Sequence, residues 1–170
     1  MPPAIETSVE RMSENGASFF EVKAKSFVRA TPQQVWKVLT DYERLPKFVP
    51  GLVRSKILSR SQQEVTLEQE STARFLFLSQ TIRLVMHLRE HPFSTIEVAL
   101  VSGDMKRYEA RWTLARLVQD GRDGTLISYY GAIEPAFFLP PVFGKQLMQA
   151  NVRKTVLAVM TEIEKRSAQE

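Results

Sequence analysis

Residues 31–52 read TPQQVWKVLTDYERLPKFVPGL, and this stretch decides how the rest of the chain is read. Its first nine residues predict a helix. Thr31 is placed to cap it, Pro32 takes the first helical position, where a missing N–H costs nothing, and Gln34 completes a capping box. Val35, Trp36 and Leu39 then reach toward a core. After Asp41 the signal changes: Tyr42, Leu45, Phe48, Val49 and Leu52 crowd into a segment cut by Pro46 and closed by Pro50-Gly51. That predicts a second short helix beginning near Asp41 and broken around Pro46. Two short helices in tandem are suited to closing one end of a larger layer.

The layer is legible on both sides. Upstream, FFEVKAKSFVR (residues 19–29) alternates, with Phe20, Val22, Ala24, Ser26 and Val28 on one face and Glu21, Lys23 and Lys25 on the other. This is a half-buried strand. Residues 1–18 are polar and read as a flexible N-terminal arm. Downstream, six further strands follow between Leu52 and Glu134. QEVTLEQES turns Val65, Leu67, Gln69 and Ser71 to one side; QTIRLVMHLRE turns Ile82, Leu84, Met86 and Leu88 inward and Arg83, His87 and Arg89 outward. RYEARWTLARL puts Tyr108, Ala110, Trp112 and Leu114 on one face, and TLISYYGAIE is the last strand. Gly103-Asp104 and the DGRDG cluster mark turns. Short links between successive strands mean an antiparallel meander.

From Pro141 to about Arg166 the period becomes helical. Met148, Val152, Val156, Val159 and Ile163 form one stripe. At 1.5 Å per residue the helix is roughly 38 Å long, enough to cross a whole sheet. The expected class is α+β: a seven-stranded antiparallel sheet wrapped around a long C-terminal helix, with two short helices after the first strand.

That order resembles the helix-grip fold of the START-like, or SRPBCC, superfamily. The words ATPQQVWKVLTDYERLPKFVPGL, SGDMKRYEARW and EPAFFLPPVFGKQLMQANV are similar to segments of its polyketide cyclase/dehydrase and coenzyme-Q-binding branch. The likeness runs over residues ~19–166, so the START-like domain is placed at 19–170. The resemblance implies a cavity between sheet and long helix, with the split second helix as part of its lid. It does not decide an activity, because one such fold hosts many.

Composition narrows the chemistry. The 170 residues contain no cysteine, which removes disulfides, thiolate nucleophiles and thiolate metal sites. The two histidines, His87 and His91, fall on an outward strand position and in a turn. There is no paired metal-ligand spacing, Gly-x-Ser-x-Gly elbow or glycine-rich phosphate loop. No catalytic residue, metal or cofactor is therefore expected, and the reading leans away from an enzyme. The net charge of +4 is scattered, so nucleic acid is not expected as a partner. No run long enough to span a bilayer occurs, nor does an apolar signal-peptide stretch in residues 1–18. A cytoplasmic location is expected, with membrane-peripheral placement open; a leader already removed would leave no trace.

The expected function is binding or carriage of an apolar small molecule: a lipid, an isoprenoid quinone or a polyketide-like compound. Its cavity is expected to be lined by Trp36, Tyr42, Phe48, Gln69, Phe77, Met86, Tyr108, Trp112, Met148 and Val152. Lys145 lies on the same helical stripe and must either reach solvent or meet a ligand carbonyl or Glu134. The alternatives are a polyketide-type cyclase or dehydratase and a ribosome- or protein-interaction module. A second apolar group, Phe137, Phe138, Phe143 and Leu147, is expected to touch a membrane surface or another protein.

Overall fold

The computed structural model describes residues 4–75 and 78–170. The chain order is β1 (Ile5–Glu14), β2 (Ala17–Val28), α1 (Pro32–Leu39), a 3-10 helix (Tyr42–Lys47), β3 (Leu52–Ser61), β4 (Glu64–Phe75), β5 (Leu78–His91), β6 (Thr95–Gly103), β7 (Met105–Gln119), β8 (Arg122–Pro135) and α2 (Pro141–Ser167). The strands form one antiparallel sheet in the order β1-β2-β8-β7-β6-β5-β4-β3. This is the expected helix-grip class, with eight strands rather than seven.

The added strand corrects the reading of the N-terminal arm. Residues 5–14 pair with β2 from Ile5 opposite Ser26 to Glu14 opposite Ala17. Asn15 (φ 51°) and Gly16 (φ 79°) make the two-residue turn between them, in the left-handed backbone that an Asn-Gly pair tolerates. Val9 is buried in the core, and α2 adds polar ties: Arg153 donates to the Ile5 carbonyl at 3.2 Å and to Thr7 Oγ1 at 3.1 Å.

Helix α1 starts as its sequence dictates. Thr31 Oγ1 accepts from the Gln34 backbone N–H at 3.1 Å, and Gln34 Oε1 accepts from the Thr31 N–H at 2.9 Å. The 27-residue α2 lies closest to β1 and β2 and meets α1 near its C-terminal end. Its stripe behaves as read: Val152, Val156, Val159, Met160 and Ile163 are buried, and Met148 is half-buried. No helix among the described residues is long and apolar enough to cross a membrane.

Candidate functional site

One end of the space between sheet and α2 is closed by α1 and the 3-10 helix. Trp36 is buried and meets Phe93 edge-on, with ring centroids 5.9 Å apart. Tyr42 is 3% exposed, and its hydroxyl donates to Glu90 Oε2 at 2.5 Å. Glu90 is itself buried at the inward end of β5, where the Arg60 guanidinium binds it through two nitrogens, at 2.9 and 3.2 Å. Burial pushes the Tyr42 phenol far up, and the adjacent Glu90 carboxylate adds to the effect. Asp41 is tied to α2 by Arg166 at 2.9 Å, and Arg166 also bonds Glu162 at 3.0 Å. Trp36 and Tyr42, expected to line a cavity, are thus part of the packed core. Through Tyr42 the proline-cut segment, expected as part of a lid, is bonded to the buried Glu90 at this end. Phe48 is half-buried against the same core, with the Arg166 guanidinium 5.7 Å from its ring centre.

The opposite half of the interior is different. Cross-strand register sets Tyr108 opposite Ile133, Ala110 opposite Gly131 and Trp112 opposite Tyr129 on the inward face of β7 and β8. Trp112 and Tyr129 touch, with ring centroids 4.9 Å apart and planes at 58°. The Tyr129 ring lies along its own strand over Gly131: a Cβ at that glycine would sit 2.7 Å from Tyr129 Oη. Burial pushes the Tyr108 and Tyr129 phenols up, and the nearness of Tyr108 adds to the rise at Tyr129. Tyr108, Trp112, Tyr129, Ile133, Leu84 and Met148 all pack against the core, yet none is closed off from solvent. They are thus the part of the inward face that is least completely covered.

The remaining expected lining residues divide. Gln69 is half-buried and donates to Ser55 Oγ at 3.1 Å, so its amide is already engaged. Met86 and Val152 are buried and closed off, and serve the core. Lys145 is exposed, with its ammonium in solvent rather than inside. Phe77 lies outside the described residues. Tyr129 and Gly131 are not among the expected site residues, although Tyr129 alternates inward with Ile127 and Ile133 as plainly as Trp112 does with its neighbours.

Among the described residues, a depression and a crevice on the surface bear on the site. An open depression of about 410 Å³ lies on the outward face of the sheet, lined by His87, Arg89, Glu97, Glu109, Arg111 and Tyr130 around Ala99 and Ala110. Two of its charges are met by residues beyond its lining, Arg89 by Glu64 at 3.3 Å and Glu97 by His91 at 3.8 Å, as on a solvated face. A smaller crevice of about 130 Å³ lies at the end away from α1, between Arg11, Ser18, Phe19 and Phe20 and the segment carrying Pro135, Phe137 and Leu139. Gly144 lets α2 approach there, since a Cβ would stand 2.7 Å from the Phe20 ring and 3.3 Å from Leu139. Phe138, between two half-buried neighbours, is 84% exposed.

The sequence matches the family described as polyketide cyclase/dehydrase and lipid transport over residues 28–160. Among curated proteins none matches the chain. By structure it is similar to a STAR-related lipid transfer protein from Xanthomonas axonopodis, with TM-score 0.74, 18% identity, and coverage of 96% of this chain and 99% of that one. It is also similar to the Zhui aromatase/cyclase from Streptomyces sp. R1128, with TM-score 0.69, 18% identity, and coverage of 86% and 94%. Human StAR-related lipid transfer protein 5 gives TM-score 0.69 at 10% identity, over 98% and 88%. At these identities the structural likeness establishes the fold.

Proposed function

The chain belongs to the polyketide cyclase/dehydrase and lipid transport family, and on that premise we propose that it binds and carries an apolar small molecule between its sheet and α2. The observation that carries this reading is the inward set Tyr108, Trp112, Tyr129, Ile133 and Met148, large side chains of the inner face that remain only half-buried. Removing the ligand's apolar body from water supplies the affinity. The lipid transfer proteins of like fold support carriage. The aromatase/cyclase of like fold supports a catalytic reading, but the buried inward carboxylate, Glu90, is held by Arg60 and Tyr42 at the closed end. Isoprenoid quinones and polyketide-like compounds remain within the proposed ligand range. The lack of cysteine fits a cytoplasmic place of action.

Native mass spectrometry of protein purified without detergent tests the reading directly; an adduct of apolar mass supports it. A paired substitution locates the site. Trp112→Ala is expected to weaken an apolar fluorescent probe by about tenfold, as loss of part of a buried aromatic contact does. Its outward neighbour Arg111→Ala should bind as wild type. Equal binding by all three proteins would remove the pocket from this face.

We propose that the mouth of the space lies at the end away from α1, where Phe138 is exposed between Phe137 and Leu139. We assign this segment to contact with an anionic membrane surface, with Phe138 entering the lipid and exposed Lys145 and Arg11 facing the headgroups. Phe143 and Leu147, on the first turns of α2, border it. Phe138→Ser is expected to lower binding to phosphatidylserine vesicles at least about tenfold, the low end of the ~1.5–3 kcal/mol of a buried Phe, without changing the melting temperature. Binding should also weaken with salt. Vesicle binding unchanged by the substitution would remove the assignment.

A further inference from the structure

Strand β3 ends the sheet, so one of its sides has no neighbouring strand among the described residues. Such an edge carries backbone N–H and C=O groups on which a further strand can form. At one point the β3 edge is occupied. The Ile57 N–H donates to Glu43 Oε2 at 3.0 Å, and Glu43 belongs to the 3-10 helix that lies against β3. That helix is fixed from inside: Tyr42, the residue before Glu43, reaches the buried Glu90, which Arg60 of β3 also binds. Tyr42 is anchored inward, and its neighbour Glu43 stands exposed against the strand edge.

The Ile57 bond gives the phase of the ladder. Ile57 lies opposite Leu67, but its N–H goes to Glu43 rather than to β4, which makes this a non-hydrogen-bonded pair. No register shift falls between Arg54 and Ile57, so alternation makes Ser55 opposite Gln69 a pair of the same kind. The N–H and C=O of Ser55 and the C=O of Ile57 therefore face the open edge, beside the N–H that Glu43 holds. An incoming strand would use all of them, and Glu43 takes one.

The side chains along this edge say what strand it suits. Register shifts on either side of the regular stretch leave Val53 and Leu58 without cross-strand partners, and they are 56% and 46% exposed. The charges around them are mostly basic: Arg54 and Lys56 on the strand, Arg44 and Lys47 on the 3-10 helix. Lys47 and Lys56 have no ion pair among the described residues. Arg54 meets Glu68 only at 3.8 Å, and Arg44 meets Asp41, already bound to Arg166, at 3.7 Å. A second copy of β3 would bring Arg54 and Lys56 against their like, which is destabilising across a strand pair. An acidic strand would meet opposite charge.

We infer that the edge of β3 from Val53 to Leu58 is a strand-addition site for an extended acidic segment of another protein, held shut by Glu43 at the Ile57 N–H. The arriving strand displaces the Glu43 carboxylate, which turns to water, and takes the N–H with its own backbone carbonyl. Backbone bonds supply the affinity, and Arg54, Lys56 and Lys47 select the charge. The site is separate from the inner face and stands whether or not a ligand is carried there.

A labelled short peptide alternating glutamate and valine, followed by fluorescence anisotropy on the full chain, probes the edge. Glu43→Ala should bind it about tenfold more tightly than wild type, because one hydrogen bond to a charged group no longer has to be broken. Glu43→Asp keeps the charge but falls one carbon short of Ile57, and should bind nearly as tightly as Glu43→Ala. Glu43→Gln keeps an oxygen for the N–H and should stay within about threefold of wild type. Lys56→Glu added to Glu43→Ala should remove the binding, as should a proline at the centre of the peptide, which cannot donate to a ladder. Binding should weaken with salt. Amide hydrogen exchange locates the complex: in Glu43→Ala the Ser55 and Ile57 amides should slow when the peptide is added. If neither Glu43→Ala nor Glu43→Asp, whichever folds, binds more tightly than wild type, the inference is overturned. It is overturned equally if Glu43→Gln matches Glu43→Ala, since charge alone would then shut the edge. Should Glu43→Ala dimerise in sedimentation and ignore the peptide, the edge takes a second copy and the acidic partner falls.

Discussion

Arg60→Met is expected to destabilise the domain by about 3 kcal/mol, the lower end of what breaking a buried ion pair costs. The effect is large for a side chain that is 41% exposed, and the reason lies with its partner, which is 6% exposed. Arg60 can turn to water when its carboxylate is removed. Glu90 cannot: without the guanidinium it is a buried anion with only the Tyr42 hydroxyl to meet it. The asymmetry yields an ordering. Arg60→Met should cost more than Glu90→Gln, and adding Glu90→Gln to Arg60→Met should recover most of the loss, because the amide keeps the shape and the Tyr42 contact without the charge. Urea unfolding of the three variants measures this. A loss below ~1 kcal/mol for Arg60→Met, typical of surface pairs, would mean that the network does not hold this end. A double variant no better than the single would show that the charge on Glu90 is not the cause.

The same network shows why one part of the molecule is legible in the sequence and another is not. Alternation places Tyr108 and Trp112 on the inward face, and the pairing of Trp112 with Tyr129 agrees with it. Alternation also puts Glu90 inward, after Met86 and Leu88. A charge there looks like the end of a strand unless its partners are known, and both partners come from distant segments. Trp36 and Tyr42 are readable as apolar and inward, but whether they face a space or another side chain depends on where α1 meets β7 and β8, which no local pattern specifies. For β1 the obstacle is composition: Glu6, Ser8 and Glu10 alternate with only two strong apolar residues, Ile5 and Val9. The turn at Asn15-Gly16 is the better signal, since that pair supplies the backbone a two-residue hairpin needs. The stripe on α2 is plain because successive turns of a 27-residue helix repeat the same evidence.

Gly131 is the position where a small sequence feature acquires a role only through its neighbour, and Gly131→Val is expected to weaken binding of an apolar fluorescent dye at least tenfold, while costing about 1–3 kcal/mol of stability as overpacking does. Valine suits a strand, and the backbone here needs no left-handed conformation, so the cost does not come from the chain itself. It comes from above: the new Cβ would lie 2.7 Å from Tyr129 Oη and 3.1 Å from Tyr129 Cζ. The ring must swing away, losing its contact with Trp112, and its most open path leads into the space assigned to the ligand. Adding Tyr129→Ala separates the two consequences. With no ring to displace, the introduced valine is accommodated, so the double variant should regain stability relative to Gly131→Val. It should regain room for the dye as well. Should Gly131→Val bind the dye as wild type does, the Tyr129 ring has no part in the site. Should the double variant recover no stability, the crowding at this glycine has another source than the phenol above it.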